Sequence, residues 1–202
     1  MAWWASRAAP ICKRPALCTQ TNSTSGVVLT DGRHRCGGGG RPLQSTTNPA
    51  DWAAGDSADT EGMPLTPVTV SEAKIAASNM IKGTTMTPDY AGIPTAVFTI
   101  PELTRVGKLE SEAREDGVDL DVRDSDTSGW YSNYRIGETT AAAKILIDQS
   151  NDQIVGAHLL GLEYGELVNT LGLAIKLGLT TRQLESATAA YPTVGFDLGS
   201  ML

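Results

Sequence analysis

The sequence predicts an α+β fold in which helices pack on an antiparallel sheet, behind a largely unstructured N-terminal segment. Three observations carry that prediction. Two stretches, beginning at Thr66 and Glu163, repeat apolar residues at helical spacing. Two strand-like runs, AAAKILID and QIVGAHLLG, are separated only by Gln149, Ser150, Asn151 and Asp152, a polar link of hairpin length that makes them antiparallel. Residues 1–46 hold six basic groups and one acid, a charge of +5, whereas the remainder holds ten basic and twenty-two acidic groups, a charge of −12. So sharp a change of sign marks a boundary.

The chain has 202 residues, a net charge of −7 and three cysteines, which suits one or two small domains with a real apolar core. No run approaches the length of a membrane span, and the negative balance argues against a nucleic-acid groove, so a soluble protein is expected. Residues 1–46 show no hydrophobic period apart from the short GVVLT, and are expected to be of low order. Their acid-poor, Arg- and Ser-containing start is compatible with an organellar transit peptide and equally with an artefactual or truncated terminus; it has no apolar core for a secretory signal. Cys12 and Cys18, in CKRPALC, match neither the redox Cys-x-x-Cys nor a repeated zinc pattern, and Cys36 has no sequence partner. Cys12 and Cys18 read as incidental thiols. With no cysteine after residue 36 the ordered part needs no disulfide, as expected of a cytoplasmic protein.

Along the ordered part, a helix starts at Thr66 with an apolar stripe of Val68, Val70, Ala73, Ile75, Ala76, Ala77, Met80 and Ile81, and stops at Gly83. TAVFTI (95–100), β-branched and aromatic between two prolines, is expected as a strand. ESEAREDG (110–117) reads as a short charged helix closed by glycine, and VDLDVRDSD, from Val118, as a half-exposed strand. The hairpin follows. EYGELVNTLGLAIKLGL (163–179) is the second long helix, with Leu167, Val168, Leu171, Ala174, Ile175 and Leu179 on one side. A helical turn at 181–187 precedes the tail YPTVGFDLGSML.

The stretch WAAGDSADTEGMPLTP (52–67) carries the chemistry. Gly55 lets the backbone turn and a ligand approach without a Cβ in the way. Asp56 offers two acceptor oxygens at the expected strand's carboxyl end, suited to the hydroxyls of a sugar or polyol. Thr66 is expected to cap a helix whose first internal residue is Pro67, and the positive end of that helix would stabilise negative charge at the same place. A polyol chain beside a ring that becomes anionic on reduction describes a flavin. Taken alone, Gly and Asp after a strand are as readily plain turn formers.

NPADWAAGDSADTEGMPLTPVTVSEAKIAASNM resembles the second flavin fingerprint of the pyridine nucleotide-disulfide oxidoreductases, the flavoprotein group that includes glutathione reductase, dihydrolipoyl dehydrogenase and mercuric reductase. AVFTIPELTRVG and IVGAHLLG resemble successive landmarks of that family's C-terminal dimerisation domain. The resemblance implies that residues 47–83 are the end of an FAD-binding domain and residues 84–202 a dimerisation domain. It implies FAD as cofactor with NAD(P)H as co-substrate, Asp56 (after Gly55) on the ribityl chain, Leu65, Thr66, Pro67 and Val68 placing the helix end near the isoalloxazine, and a homodimer.

Three departures qualify it. The family's Gly-x-Gly-x-x-Gly, redox Cys-x-x-x-x-Cys and nicotinamide-nucleotide domain are not found in these residues, and CGGGGRP is not followed by a helix. The expectation is therefore the C-terminal piece of a longer enzyme, inactive alone. The family's catalytic His-Pro-Thr and following Glu correspond here to YPTVGFD, with Tyr191 in place of the histidine, Phe196 in place of the glutamate and Asp197 next to it. A phenol with a pKa of about 10 is a poor base near neutrality. DLGSML also lacks the terminal cysteine pair of mercuric reductases, so an electron acceptor other than a dithiol is expected. Two alternatives stand beside this: a non-catalytic dimerisation module, pairing with itself or with a full-length relative, and a gene fragment without independent activity.

His158, among apolar neighbours, reads as a packed structural histidine. The acids of 110–126 read as a solvated helix face and strand edge, with no metal site. Trp130 and Tyr131 are open to two readings, a partner-facing aromatic patch or a loop folded on its own sheet.

Overall fold

The computed structural model describes residues 29–30, 33–37, 41–45 and 48–202. The incidental-thiol readings of Cys12 and Cys18 and the transit-peptide reading of the start lie outside the described residues. The chain divides into two compact units, Met1–Tyr90 and Ala91–Leu202.

In the first unit β2 (Arg33–Gly37) pairs antiparallel with β1 (Leu29–Thr30) and β3 (Arg41–Ser45), and parallel with β4 (Ala58–Asp59). Part of the stretch expected to be of low order thus contributes three short strands. They follow no apolar period; their backbone hydrogen bonds come from neighbouring strands, which no local pattern records. Leu43, Ala53, Ala58, Ile75 and Ala76 form a small core with Trp52 against it.

Helix α1 (Thr66–Lys82) runs where the periodicity placed it and ends at Gly83, whose φ of 79° suits glycine. The cap is Leu65, one residue before the expected Thr66: its extended backbone accepts from the Thr69 N–H at 2.9 Å, and Thr66 is already helical. The apolar stripe also differs from expectation. Val68, Ile75 and Ala76 are buried, but Val70 and Met80 are exposed and Ile81 is 85 % exposed, while Glu72 and Asn79 are buried instead. Hydrogen bonds explain the exchange. Asn79 Oδ1 accepts from the N–H groups of Thr85 and Met86 at 3.0 Å each, and its Nδ2 donates to the Met86 carbonyl at 2.8 Å, so a single amide folds the chain back after the helix.

The second unit is a five-stranded antiparallel sheet in the order β5-β6-β9-β8-β7: β5 (Thr95–Val97), β6 (Glu102–Gly107), β7 (Leu120–Asp126), β8 (Ala142–Asp148) and β9 (Gln153–Gly161). The hairpin is the expected one, β8 against β9. Strand β5 stops at Val97, where the sequence predicts a run to Ile100; the Thr99 N–H turns back to the Val97 carbonyl, leaving Ile100 97 % exposed. Strand β6 was hidden in its sequence because only Thr104 and Val106 are buried, too short an alternation to register. Helix α2 (Glu110–Glu115) closes near Gly117 as expected, and the longer α4 (Tyr164–Leu177) puts Leu167, Val168, Leu171 and Ala174 into the core against Val106, Ala157 and Leu159. Short α3 (Tyr131–Tyr134) and the tail helix α6 (Val194–Met201) were not foreseen, whereas α5 (Thr181–Glu185) falls in the expected turn. Leu198, Met201 and Leu202 bring the tail into the same core.

Candidate functional site

The Gly-Asp motif does not end a strand. Trp52 makes a single bridge to Gln44, and the chain then winds into a 3-10 turn, Gly55–Ser57. Gly55 has φ 64°, and a Cβ on it would sit 2.5 Å from Thr69 Oγ1, so the turn is pressed onto the first turn of α1. The glycine of the motif is demanded by this packing against Thr69. Asp56, Thr66 and Pro67 are exposed, Leu65 is half-buried and Val68 is buried. Asp56 is thus an exposed acceptor on a turn whose Gly55 packs against α1, a 17-residue helix whose N-terminal end carries partial positive charge.

The residue that sequence reasoning missed is Glu72. It is 1 % exposed, and its carboxylate accepts from the Gly55 N–H at 2.6 Å (Oε2), Thr60 Oγ1 at 2.9 Å and the Tyr90 hydroxyl at 2.6 Å (both Oε1). Burial and this carboxylate push the Tyr90 phenol up to about 12. A signal existed: Val68, Glu72, Ile75, Ala76 and Asn79 share one helical face, on which two polar residues stand among apolar ones.

In the second unit, Tyr191 is 66 % exposed and stacks on Tyr131, with ring centroids 6.0 Å apart and planes at 26°. Phe196 meets the Tyr191 ring edge-on at 4.9 Å. Asp197 is buried and accepts from the Ser132 hydroxyl. Beside that pair, the Tyr164 hydroxyl donates to Thr127 Oγ1 at 2.8 Å, and Asn133 Nδ2 donates to the Thr127 carbonyl at 2.9 Å. Burial raises the Tyr164 pKa. Trp130 packs against the core, whereas Tyr131 stays on the surface.

His158, on β9, places Nε2 3.1 Å from the Lys108 carbonyl oxygen. Its pKa lies below the ordinary 6.5, first because burial disfavours the cation, with Arg105 and Lys144 adding to the effect. A depressed pKa means that the unfolded chain takes up a proton before the folded one does. The stability His158 allows is complete above about 6.5 and falls as pH drops below it. Urea midpoints measured from pH 7.5 to 5 should decline, and His158→Gln should flatten the slope; an unchanged slope would refute this assignment. Among the described residues no cluster of three or more His, Cys, Asp or Glu side chains is placed to hold a metal ion, and no helix is long and apolar enough to cross a membrane.

An antiparallel sheet in this order, backed by α4 and closed by the tail helix, defines the class: the dimerisation-domain fold of flavoprotein disulfide reductases. The HOCl-induced flavoprotein disulfide reductase RclA of Escherichia coli shares the fold, with a TM-score of 0.75 at 23 % identity over 93 % of this chain and 42 % of that one. The family described as pyridine nucleotide-disulphide oxidoreductase, dimerisation domain, matches residues 93–199, and the chain belongs to it. A 19.7 kDa protein of a mercuric resistance operon in Staphylococcus aureus is 44 % identical over 160 residues, 79 % of this chain and 89 % of that protein. Dihydrolipoyl dehydrogenase of Bacillus subtilis is 32 % identical over 170 residues, 84 % of this chain. The match spans only 33 % of that enzyme.

Proposed function

We propose that this chain is the C-terminal part of an FAD-dependent NAD(P)H oxidoreductase, with residues 47–83 closing a flavin site and residues 84–202 pairing two subunits. The observation that supports the reading is the seating of Gly55, the first residue of the Gly55–Ser57 turn, against Thr69 in the first turn of α1, with Asp56 exposed on that turn. Asp56 accepts hydrogen bonds from the ribityl hydroxyls, and Leu65, Thr66, Pro67 and Val68 present the helix end to the isoalloxazine. Its electron acceptor is not a standard dithiol or disulfide. Supporting this, Tyr191 stands in place of the histidine base and is flanked by the rings of Tyr131 and Phe196, while the nearby Asp197 carboxylate is engaged by Ser132. The enzyme is cytoplasmic and homodimeric on this reading.

Riboflavin, which has the ring and ribityl chain without the diphosphate, tests the site. Its fluorescence should be quenched by the chain, and Asp56→Ala should weaken binding by about tenfold, the equivalent of one hydrogen bond to a charged group. Equal quenching by wild type and variant would sink the reading. Purified chain should carry no stoichiometric FAD, because its sequence holds no Gly-x-Gly-x-x-Gly for the diphosphate.

A second reading, a non-catalytic module that pairs with itself or with a full-length relative, is favoured by the S. aureus protein, of which the alignment spans 89 %. Light scattering should give a dimer on both readings. A strict monomer at high concentration counts against both.

A further inference from the structure

We propose that Glu72 is the positioning residue of the Gly55–Asp56 turn, and that Tyr90 sets the orientation in which its carboxylate works. The turn is only three residues long and begins at a positive φ, so it has little to hold itself in place. Its internal bonds are Ser57 Oγ to the Ala54 carbonyl at 2.9 Å and the Ala58 N–H to the Gly55 carbonyl. Its hydrogen bond to α1 is the Gly55 N–H on Glu72 Oε2 at 2.6 Å.

A carboxylate this deeply buried has lost its water and persists only where donors replace it. The three donors here are a backbone amide and two hydroxyls, and they come from different segments: the Gly-Asp turn, Thr60 in the following loop, and Tyr90, the last residue of its unit. The loop closes directly over the group. A Cβ on Gly62 would lie 2.8 Å from Glu72 Oε1 and 2.7 Å from the Tyr90 ring. Because Thr60 and Tyr90 both hold Oε1, they fix the rotation of the carboxylate and so aim Oε2 at Gly55. The Tyr90 phenol, with a pKa pushed up to about 12, remains a donor throughout the neutral range. None of these bonds runs to the backbone of α1 itself, so their loss releases the turn and leaves the helix intact. What Asp56 then does with a flavin rests on the reading given above; the tie itself does not.

Amide hydrogen exchange in the full chain tests the assignment, with Gly55 as reporter and Ile75 and Ala76 of α1 as internal controls. Glu72→Gln turns an amide donor toward groups that are themselves donors and exchanges a charged acceptor for a neutral one. Gly55 exchange should rise about tenfold, the ratio expected for a charge-assisted against a neutral bond. Its amide proton resonance should move upfield. Tyr90→Phe, which removes one oxygen that does not touch Gly55, should raise Gly55 exchange several-fold through the freed carboxylate. In both variants Ile75 and Ala76 should exchange as in the wild type. Unchanged Gly55 exchange in either folded variant overturns the proposal, and so does equal acceleration of Gly55, Ile75 and Ala76, which would reduce Glu72 to a general stabiliser. Should Glu72→Gln fail to fold, Tyr90→Phe carries the test. Riboflavin titration of the same proteins separates two failures: a wild type that does not quench riboflavin defeats the flavin reading while the Gly55 result stands.

Discussion

Tyr164→Ala should lower the stability of the second unit by about 4 kcal/mol, the middle of the range for truncating a buried aromatic side chain. The ring is fully buried at the start of α4, where it joins the core formed with Leu167, Leu171 and Leu159. Its hydroxyl donates to Thr127 Oγ1 and accepts from Asn133 Nδ2 at 3.3 Å, tying α4 to the segment that leads into α3. Truncation opens a cavity and leaves the Thr127 hydroxyl without that donor in a dry interior. Tyr164→Phe isolates the second effect and should cost about 1–2 kcal/mol. Urea unfolding followed by the ellipticity of the helices measures both. A loss below about 1 kcal/mol for the alanine variant would show that the core closes around the gap, contrary to the packing described.

Gly55→Ala is the second large effect, expected at about 2–5 kcal/mol in the first unit. Two costs add. A non-glycine residue at φ 64° pays about 1–2 kcal/mol, and forcing a methyl group to within 2.5 Å of Thr69 Oγ1 and 2.6 Å of its Cγ2 adds about 1–3 kcal/mol of overpacking. The double variant Gly55→Ala with Thr69→Ala removes both clashing atoms and should recover the second part only. Recovery of at least about 1 kcal/mol by the double variant is the expected coupling for side chains in contact. Strict additivity would mean that the turn moves away from α1 and the clash never forms. Riboflavin quenching should fall in Gly55→Ala whether or not the unit stays folded, since the turn carries Asp56.

Much of the second unit was legible. The hairpin of β8 and β9 follows from two β-branched runs and a four-residue polar link, and α4 from a stripe whose Leu167, Val168, Leu171 and Ala174 are indeed the buried ones. Strand β6 and the tail helix α6 were not. The first buries only Thr104 and Val106, and the second needs the core to receive Leu198 and Met201 before its short period means anything. In the first unit the existence and limits of α1 were clear, yet its buried face was misjudged. Apolar residues such as Ile81 could be left outside because Glu72 and Asn79 found enough donors and acceptors inside. The candidate site divides in the same way. Gly55, Asp56 and the helix start at 65–68 stand out in the string, whereas Glu72, Thr60 and Tyr90 are separated along the chain and become one group only when the loop closes.

By itself, the sequence determined where the two long helices run, which two strands form the hairpin, and that Gly-Asp precedes a helix with proline in its first turn. Those properties are local: they depend on side-chain spacing within one turn or one pleat, and on the few residues that permit a positive φ or forbid an N–H. Only the tertiary structure decided that a buried glutamate holds the Gly-Asp turn, that Asp197 is spent on Ser132, and that Tyr191 lies among aromatic rings. Desolvation and hydrogen-bond satisfaction depend on which distant groups share a volume, and a residue's neighbours in space are set by the whole chain.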